Sequence, residues 1–193
     1  YVLKRRDCMI AAVSKRFHKK QFKFGFEVPN TVQRAREIDR ENGNTLWQDA
    51  INLEMEAVRV AFKLLNDGQE VPPGYQFMKC HMVFEIKIEG FRRKAWLVAG
   101  DHMTETPAVM TYATMVSRDS VRIALTIAAL NDLQVKTSDI KNAYLQSPCD
   151  EKIYTRLGPE FGADEGKTAI IVRALYGLKS AGASFGHHHI PTV

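Results

Sequence analysis

Thr137-Ser-Asp-Ile-Lys-Asn-Ala-Tyr-Leu145 is the stretch on which the reading of this chain turns. It closes an alternating run in which Leu133, Val135, Thr137 and Asp139 share one face of an expected strand. The strand ends on an acid, and a polar turn and an aromatic follow at once. An aspartate so placed suits a metal-binding carboxylate that faces a nucleotide pocket. It suits a turn or a helix cap equally well, and the stretch alone does not choose between them.

Working outward, residues 117–131 open on Ser117-Arg-Asp-Ser and set Val121, Leu125 and Ala128 on one helical face. Most other positions of that helix are apolar too, so it is expected to be buried. Downstream, residues 151–157 and 169–175 read as short strands around a polar loop, 158–167. Upstream, residues 82–88 and 91–99 read as two strands joined at Glu89-Gly90 and decorated by Lys79, Lys87, Arg92, Arg93 and Lys94. Pro72-Pro73-Gly74 forces a turn before them.

Two helices come earlier. Residues 31–42 carry Val32, Ala35 and Ile38 at helical spacing and stop near Gly43. Residues 45–66 repeat Trp47, Ile51, Glu54, Met55, Val58 and Phe62, with Thr45 as the expected cap and Asp67-Gly68 as the stop. Residues 1–30 mix cations with Phe17, Phe22, Phe24 and Phe26, end at Pro29, and read as an arm or linker. The class is therefore α+β.

The composition, 45% hydrophobic and 25% charged over 193 residues, is that of a soluble globular protein. No stretch approaches the roughly 18 apolar residues of a membrane span, and the charged start, Tyr1 to Arg6, has no secretory core. With no initiator Met, a piece of a longer intracellular protein is expected. The net charge of +5 is uneven, because residues 1–40 hold eleven Lys or Arg against four Asp or Glu. Such an arm either tracks phosphates or is a solvated leader. Cys8, Cys80 and Cys149 form no CxxC pair, so reduced thiols are expected.

Arg173-Ala-Leu-Tyr-Gly-Leu-Lys-Ser-Ala-Gly182, Asp139-Ile-Lys-Asn-Ala-Tyr144 and Gly158-Pro-Glu-Phe-Gly162 together resemble the copia-type reverse transcriptase family. Its usual strings read A-L-Y-G-L-K-Q-A, D-V-K-N-A-F-L and P-x-G-F. The likeness continues through Arg93-Lys-Ala-Trp-Leu-Val-Ala-Gly100 and Ser117-Arg-Asp-Ser-Val-Arg122, begins near Trp47, and covers about 140 residues. It implies the fingers and partial palm of a right-hand polymerase over residues 45–185, with fingers to about residue 110. A basic arm with a short helix (1–44) would precede it and a diverged or truncated tail (186–193) would follow.

The resemblance also implies roles. Asp139 and the backbone carbonyl of Ile140 would bind divalent ions, two Mg²⁺ in the intact enzyme. Tyr144 would lie under the incoming sugar and exclude a 2′-hydroxyl by clash; it also suits a core aromatic after a turn. Lys87, Arg93 and Lys94 would meet the triphosphate, or else solubilise the ribbon; Trp96 stands where the family has arginine. Tyr176, Gly177, Lys179 and Ser180 would grip template and nucleotide, with Ser180 in place of the family's Gln and Gly182-Ala183 in place of Pro-Arg.

After Phe185 the chain reads Gly186-His-His-His-Ile-Pro-Thr-Val193 where the family continues to Y-x-D-D. Asp150, Glu160, Asp164 and Glu165 lie in loops and do not replace those aspartates. The three histidines offer imidazole ligands but read better as a diverged tail. The expected function is thus a piece of an RNA-directed DNA polymerase, inactive alone. Its intact form would use dNTPs and a DNA primer on an RNA template, beside integrase and RNase H regions of one polyprotein. That places it away from membranes, in cytoplasmic virus-like particles or in the nucleus. The alternative is a non-catalytic basic remnant that binds nucleic acid through its aromatic and cationic arm.

Overall fold

The computed structural model describes residues 20–66, 68–100 and 116–189. Residues 1–19 of the expected arm, with Cys8, the last stretch of the expected fingers and the end of the tail lie outside the described residues. Along the chain run β1 (Gln21–Lys23), β2 (Phe26–Val28), α1 (Val32–Asn42), α2 (Leu46–Val58), β3 (Phe62–Leu64), β4 (Gln76–Phe77), β5 (Cys80–Ile86), β6 (Arg93–Ala99), α3 (Arg118–Leu130), β7 (Ile153–Arg156), β8 (Thr168–Ile171) and α4 (Ala181–His189). They divide between two compact units. One comprises Tyr1–Arg59, Lys79–Val98 and Arg156–Thr168, and the other Val60–Met78, Ala99–Thr155 and Ala169–Val193.

In the first unit, residues 20–28, expected as linker, are a hairpin in which Gln21, Phe22 and Lys23 pair antiparallel with Val28, Glu27 and Phe26. The two residues between, Phe24-Gly25, make the turn, a signal that the Phe masks. Helix α1 begins as expected, with the Thr31 hydroxyl accepting from the Arg34 N–H at 3.1 Å. It buries Val32, Ala35 and Ile38, and also Asp39. Asp39 supplies the cap expected from Thr45: its carboxylate accepts from the Trp47 N–H at 3.1 Å and the Gln48 N–H at 2.8 Å. The Thr45 hydroxyl turns instead to Asp49, at 2.8 Å.

Helix α2 buries Trp47, Ile51, Met55 and Val58 in a stripe of four- and three-residue steps. Trp47 meets Phe84 of β5 edge to face, with ring centroids 5.6 Å apart, a geometry worth about 0.5–1.5 kcal/mol beyond the area it buries. Strands β5 and β6 pair as the expected ribbon, and Glu54 of α2 accepts from the Leu97 N–H of β6 at 3.1 Å. Burial pushes the Glu54 carboxyl up, and that N–H opposes the shift. The expected loop 158–167 is pinned by Arg36 to the Pro159 carbonyl, 3.1 Å, and by Arg59 to the Phe161 carbonyl, 3.0 Å.

The helix expected to reach residue 66 ends eight residues early, at Val58. Past a short turn, Phe62, Lys63 and Leu64 pair with Ile171, Ile170 and Ala169. A ladder partner more than a hundred residues away overrides the helical spacing, and local periodicity carries no trace of it. This pairing belongs to the second unit, whose sheet runs β3-β8-β7-β4 with β4 parallel to β7. The expected strands at 151–157 and 169–175 are there, the latter shortened to Thr168–Ile171.

Two expectations in this unit are overturned. Helix α3 is capped as expected, the Ser117 hydroxyl accepting from the Ser120 N–H at 3.0 Å. Yet Val121 and Leu125 are about half exposed, as are Ile123 and Ile127, and Ala128 is the buried residue of the helix. Apolar character states that a surface can be covered and not that it is. Residues 133–140 form no strand, and Leu133, Val135 and Ile140 are exposed. Alternation marks a face for a ladder, but among the described residues no neighbour pairs with this segment.

Asp39→Ala should lower the stability of the chain by about 0.5–2 kcal/mol in urea denaturation. Asp39→Asn should lower it too, because its one accepting oxygen serves one N–H while its amide NH2 faces the other.

Candidate functional site

Asp139 is exposed and lies in irregular backbone ahead of a turn at residues 141–143, with Asn142 in the left-handed region at φ 53°. The turn delivers Tyr144 at the head of a short 3₁₀ segment, Tyr144–Gln146. The Tyr144 ring stands edge-on to Tyr176, centroids 5.0 Å apart, and to Phe185 at 6.4 Å. Two aromatics thirty-two positions apart in sequence, both expected at the nucleotide site, therefore touch. The contact follows from backbone bracing: the Cys149 N–H donates to the Val172 carbonyl at 3.1 Å and the Ala174 N–H to the Ser147 carbonyl at 3.1 Å. Arg173 adds a bond to the Gln146 carbonyl at 3.3 Å.

Gly177 holds φ 91° in the turn after Tyr176, a conformation that an L side chain resists. Lys179 is half-buried and Ser180 is buried. Both the N–H and the hydroxyl of Ser180 donate to one oxygen of the buried Glu151, at 3.0 and 2.6 Å. One helical turn on, the Ser184 hydroxyl donates to Asp150 at 2.6 Å. Asp150-Glu151 thus anchors the start of α4, a use that sequence reading missed. Its signal is Ser180 and Ser184 four apart, on one face of a helix.

The helix runs through His189 without a break at residue 186. His187 and His188 are exposed on successive positions, which a helix turns about 100° apart. Burial pushes the Cys149 thiol up to about 11, so it stays protonated, its S–H donating to the Glu151 carbonyl at 3.4 Å.

In the first unit the ribbon presents the three expected cations. Lys87 pairs with Glu85 at 2.7 Å and lies 5.2 Å from the centroid of the Trp96 ring, and Lys94 lies 5.5 Å from the same centroid. The tryptophan that replaces the family's arginine is thus a surface on which two cations rest. Arg93 sits 4.3 Å from the Phe26 centroid, and its Nε is buried with no hydrogen-bond partner among the described residues. Glu85, also missed, bonds Lys23 at 2.7 Å as well. Hydrogen bonds from Lys23 and Lys87 bring its carboxyl down to about 2.

Among the described residues no group of three or more His, Cys, Asp or Glu lies close enough to hold an ion. Two ions about 4 Å apart need several carboxylates, so the described residues do not form that centre and Asp139 stands as a single candidate ligand. No described helix is long and apolar enough to cross a membrane.

A mixed α and β chain with these motifs is defined by its matches. Residues 69–190 match the family described as reverse transcriptase (RNA-dependent DNA polymerase), and the chain belongs to that family, in the copia-type branch that its motifs resemble. It is 32% identical over 143 residues to the retrovirus-related Pol polyprotein from transposon TNT 1-94 of Nicotiana tabacum, covering 68% of this chain and 10% of that protein. It is 26% identical over 163 residues to that from transposon RE2 of Arabidopsis thaliana, covering 79% and 11%. A truncated transposon Ty1-A Gag-Pol polyprotein of Saccharomyces cerevisiae is 26% identical over 120 residues, covering 62% and 10%. The chain spans about a tenth of the length of these curated relatives. No solved structure matches it.

Two outcomes test the geometry. Ser180→Gln, which restores the family's usual residue, should cost about 1–3 kcal/mol in urea denaturation, because the longer side chain overfills a closed site. In a carbon-detected NMR titration the Glu85 carboxyl should have its midpoint near 2. The midpoint should move up in Lys23→Ala and Lys87→Ala; since the shift is downward, the ion pairs persist at neutral pH and are lost only as pH falls through that value.

Proposed function

We propose that residues 45–185 are the fingers and partial palm of a right-hand polymerase, and that in a complete polyprotein they take part in RNA-templated DNA synthesis. The observation that carries this reading is the Tyr144 and Tyr176 contact, 5.0 Å between centroids, in a chain of the reverse transcriptase family. Contacts with Tyr176 and Phe185 favour one placement of the Tyr144 ring, which is what exclusion of a 2′-hydroxyl by clash requires.

In this reading Asp139 and the Ile140 carbonyl contribute part of a Mg²⁺ ligand set whose other carboxylates come from outside the described residues. Tyr176 and Gly177 bring backbone close to template and nucleotide, Lys179 meets a phosphate, and Ser180 acts by positioning, through Glu151. Lys87, Arg93 and Lys94 are assigned to triphosphate charge by the family resemblance. The partners are an RNA template, a DNA primer and dNTPs, with integrase and RNase H regions in the same polyprotein, in cytoplasmic particles or the nucleus. The 193-residue chain by itself does not polymerise.

Primer extension tests both halves. The isolated chain should incorporate no dNTP in Mg²⁺, and Mg²⁺-dependent incorporation by it would overturn its proposed inactivity. In a polyprotein that contains this region, Asp139→Asn should reduce incorporation roughly a hundredfold or more, and Tyr144→Ala should raise ribonucleotide use relative to dNTPs about tenfold or more. Unchanged incorporation in Asp139→Asn would sink the assignment.

A further inference from the structure

Four phenylalanines of the first unit stay in solvent: Phe22 is 64% exposed, Phe24 45%, Phe26 40% and Phe91 46%. Three form one cluster, Phe91 lying 5.9 Å from Phe24 and 5.7 Å from Phe26 between centroids. Two of them occupy turn tips in the left-handed region, Phe24 at φ 54° before Gly25 and Phe91 at φ 48° after Gly90.

A bulky residue takes that conformation at a cost in strain. In a two-residue hairpin turn with both φ positive, Asn before Gly turns the chain with less. Phe at position 24 is thus a poorer turn residue, and its ring is not repaid by burial. Such outliers gather where a surface has a use.

Cations frame the cluster. Lys23 lies 5.5 Å from the Phe24 centroid and Arg93 4.3 Å from that of Phe26, Arg92 is exposed next to Phe91 in the chain, and exposed Lys20 pairs with Glu27 at 3.3 Å. Flat exposed rings set among cations match bases set among phosphates. Lys23 and Lys20 are paired with Glu85 and Glu27, but an apolar protein partner would still have to cover Arg92 and Arg93 without compensation. We propose that Phe24, Phe26 and Phe91, framed by Lys23, Arg92 and Arg93, are a stacking platform for single-stranded nucleic acid. The proposal rests on the polymerase reading in taking nucleic acid as the partner: Phe24 and Phe26 precede the matched stretch 69–190, whereas Phe91, Arg92 and Arg93 lie within it.

The test is fluorescence anisotropy of the 193-residue chain with a labelled single-stranded RNA of about 12 nucleotides and with an abasic strand of equal length. The chain should prefer the base-bearing strand. The double variant Phe24→Asn, Phe91→Asn should bind it about tenfold more weakly and lose the preference, while its melting temperature holds or rises, because Asn accepts the left-handed region more readily. Phe24→Leu with Phe91→Leu, which keeps apolar area and removes the rings, should weaken binding likewise.

Equal affinity for both strands, or wild-type affinity in either variant, would overturn the platform. So would ring-dependent self-association without binding of RNA. None of these results alters the effect of Asp139→Asn on primer extension, so the platform and the polymerase reading fail separately.

Discussion

Trp47 is the residue on which the first unit closes. Its backbone N–H is held by Asp39 of α1, its ring meets Phe84 of β5 edge to face, and the Arg93 guanidinium of β6 lies 5.8 Å from the ring centroid. Two helices and both strands of the ribbon are thereby tied at one residue, α1 through its backbone and the strands through its ring. The buried Asp39 is tolerated because two backbone N–H groups at a helix N-terminus satisfy it. One carboxylate thus joins the end of α1 to the start of α2.

The second unit uses the same device. Glu151 is buried and accepts both the N–H and the hydroxyl of Ser180, which sets where α4 starts and so where Phe185 meets Tyr144. The departure from the family at position 180 acquires a physical meaning here. Serine is short enough to stay within the fold and close on a carboxylate, so this position supports the aromatic cluster from beneath.

Burial separates the cations in a way that charge alone does not. Lys87 and Lys94 share Trp96 as a platform, with Lys87 also bound by Glu85, while Arg93 lies over Phe26 with its Nε buried. The sequence presents these three as equivalent basic residues of a ribbon. Their partners are set by which ring or carboxylate the pairing of β5 and β6, or the hairpin before α1, brings alongside.

Local signals determined much of the fold: the bounds of α1, the stripe of α2, the ribbon, the Ser117 cap, and the short strands near 153 and 168. Each depends on residues within a turn or two of chain, as caps, periodicity and turn chemistry do. The motifs around Asp139 and Tyr176, by their order and spacing, also determined the family. Tertiary structure decided the rest. It ended α2 at Val58 because Phe62 to Leu64 found a distant strand, and left residues 133–140 unpaired because no described strand reached them. It moved the α2 cap from Thr45 to Asp39 and set Tyr144 against Tyr176. A ladder, a remote cap and a ring contact each join residues far apart in sequence, and periodicity measures only the propensity of one partner.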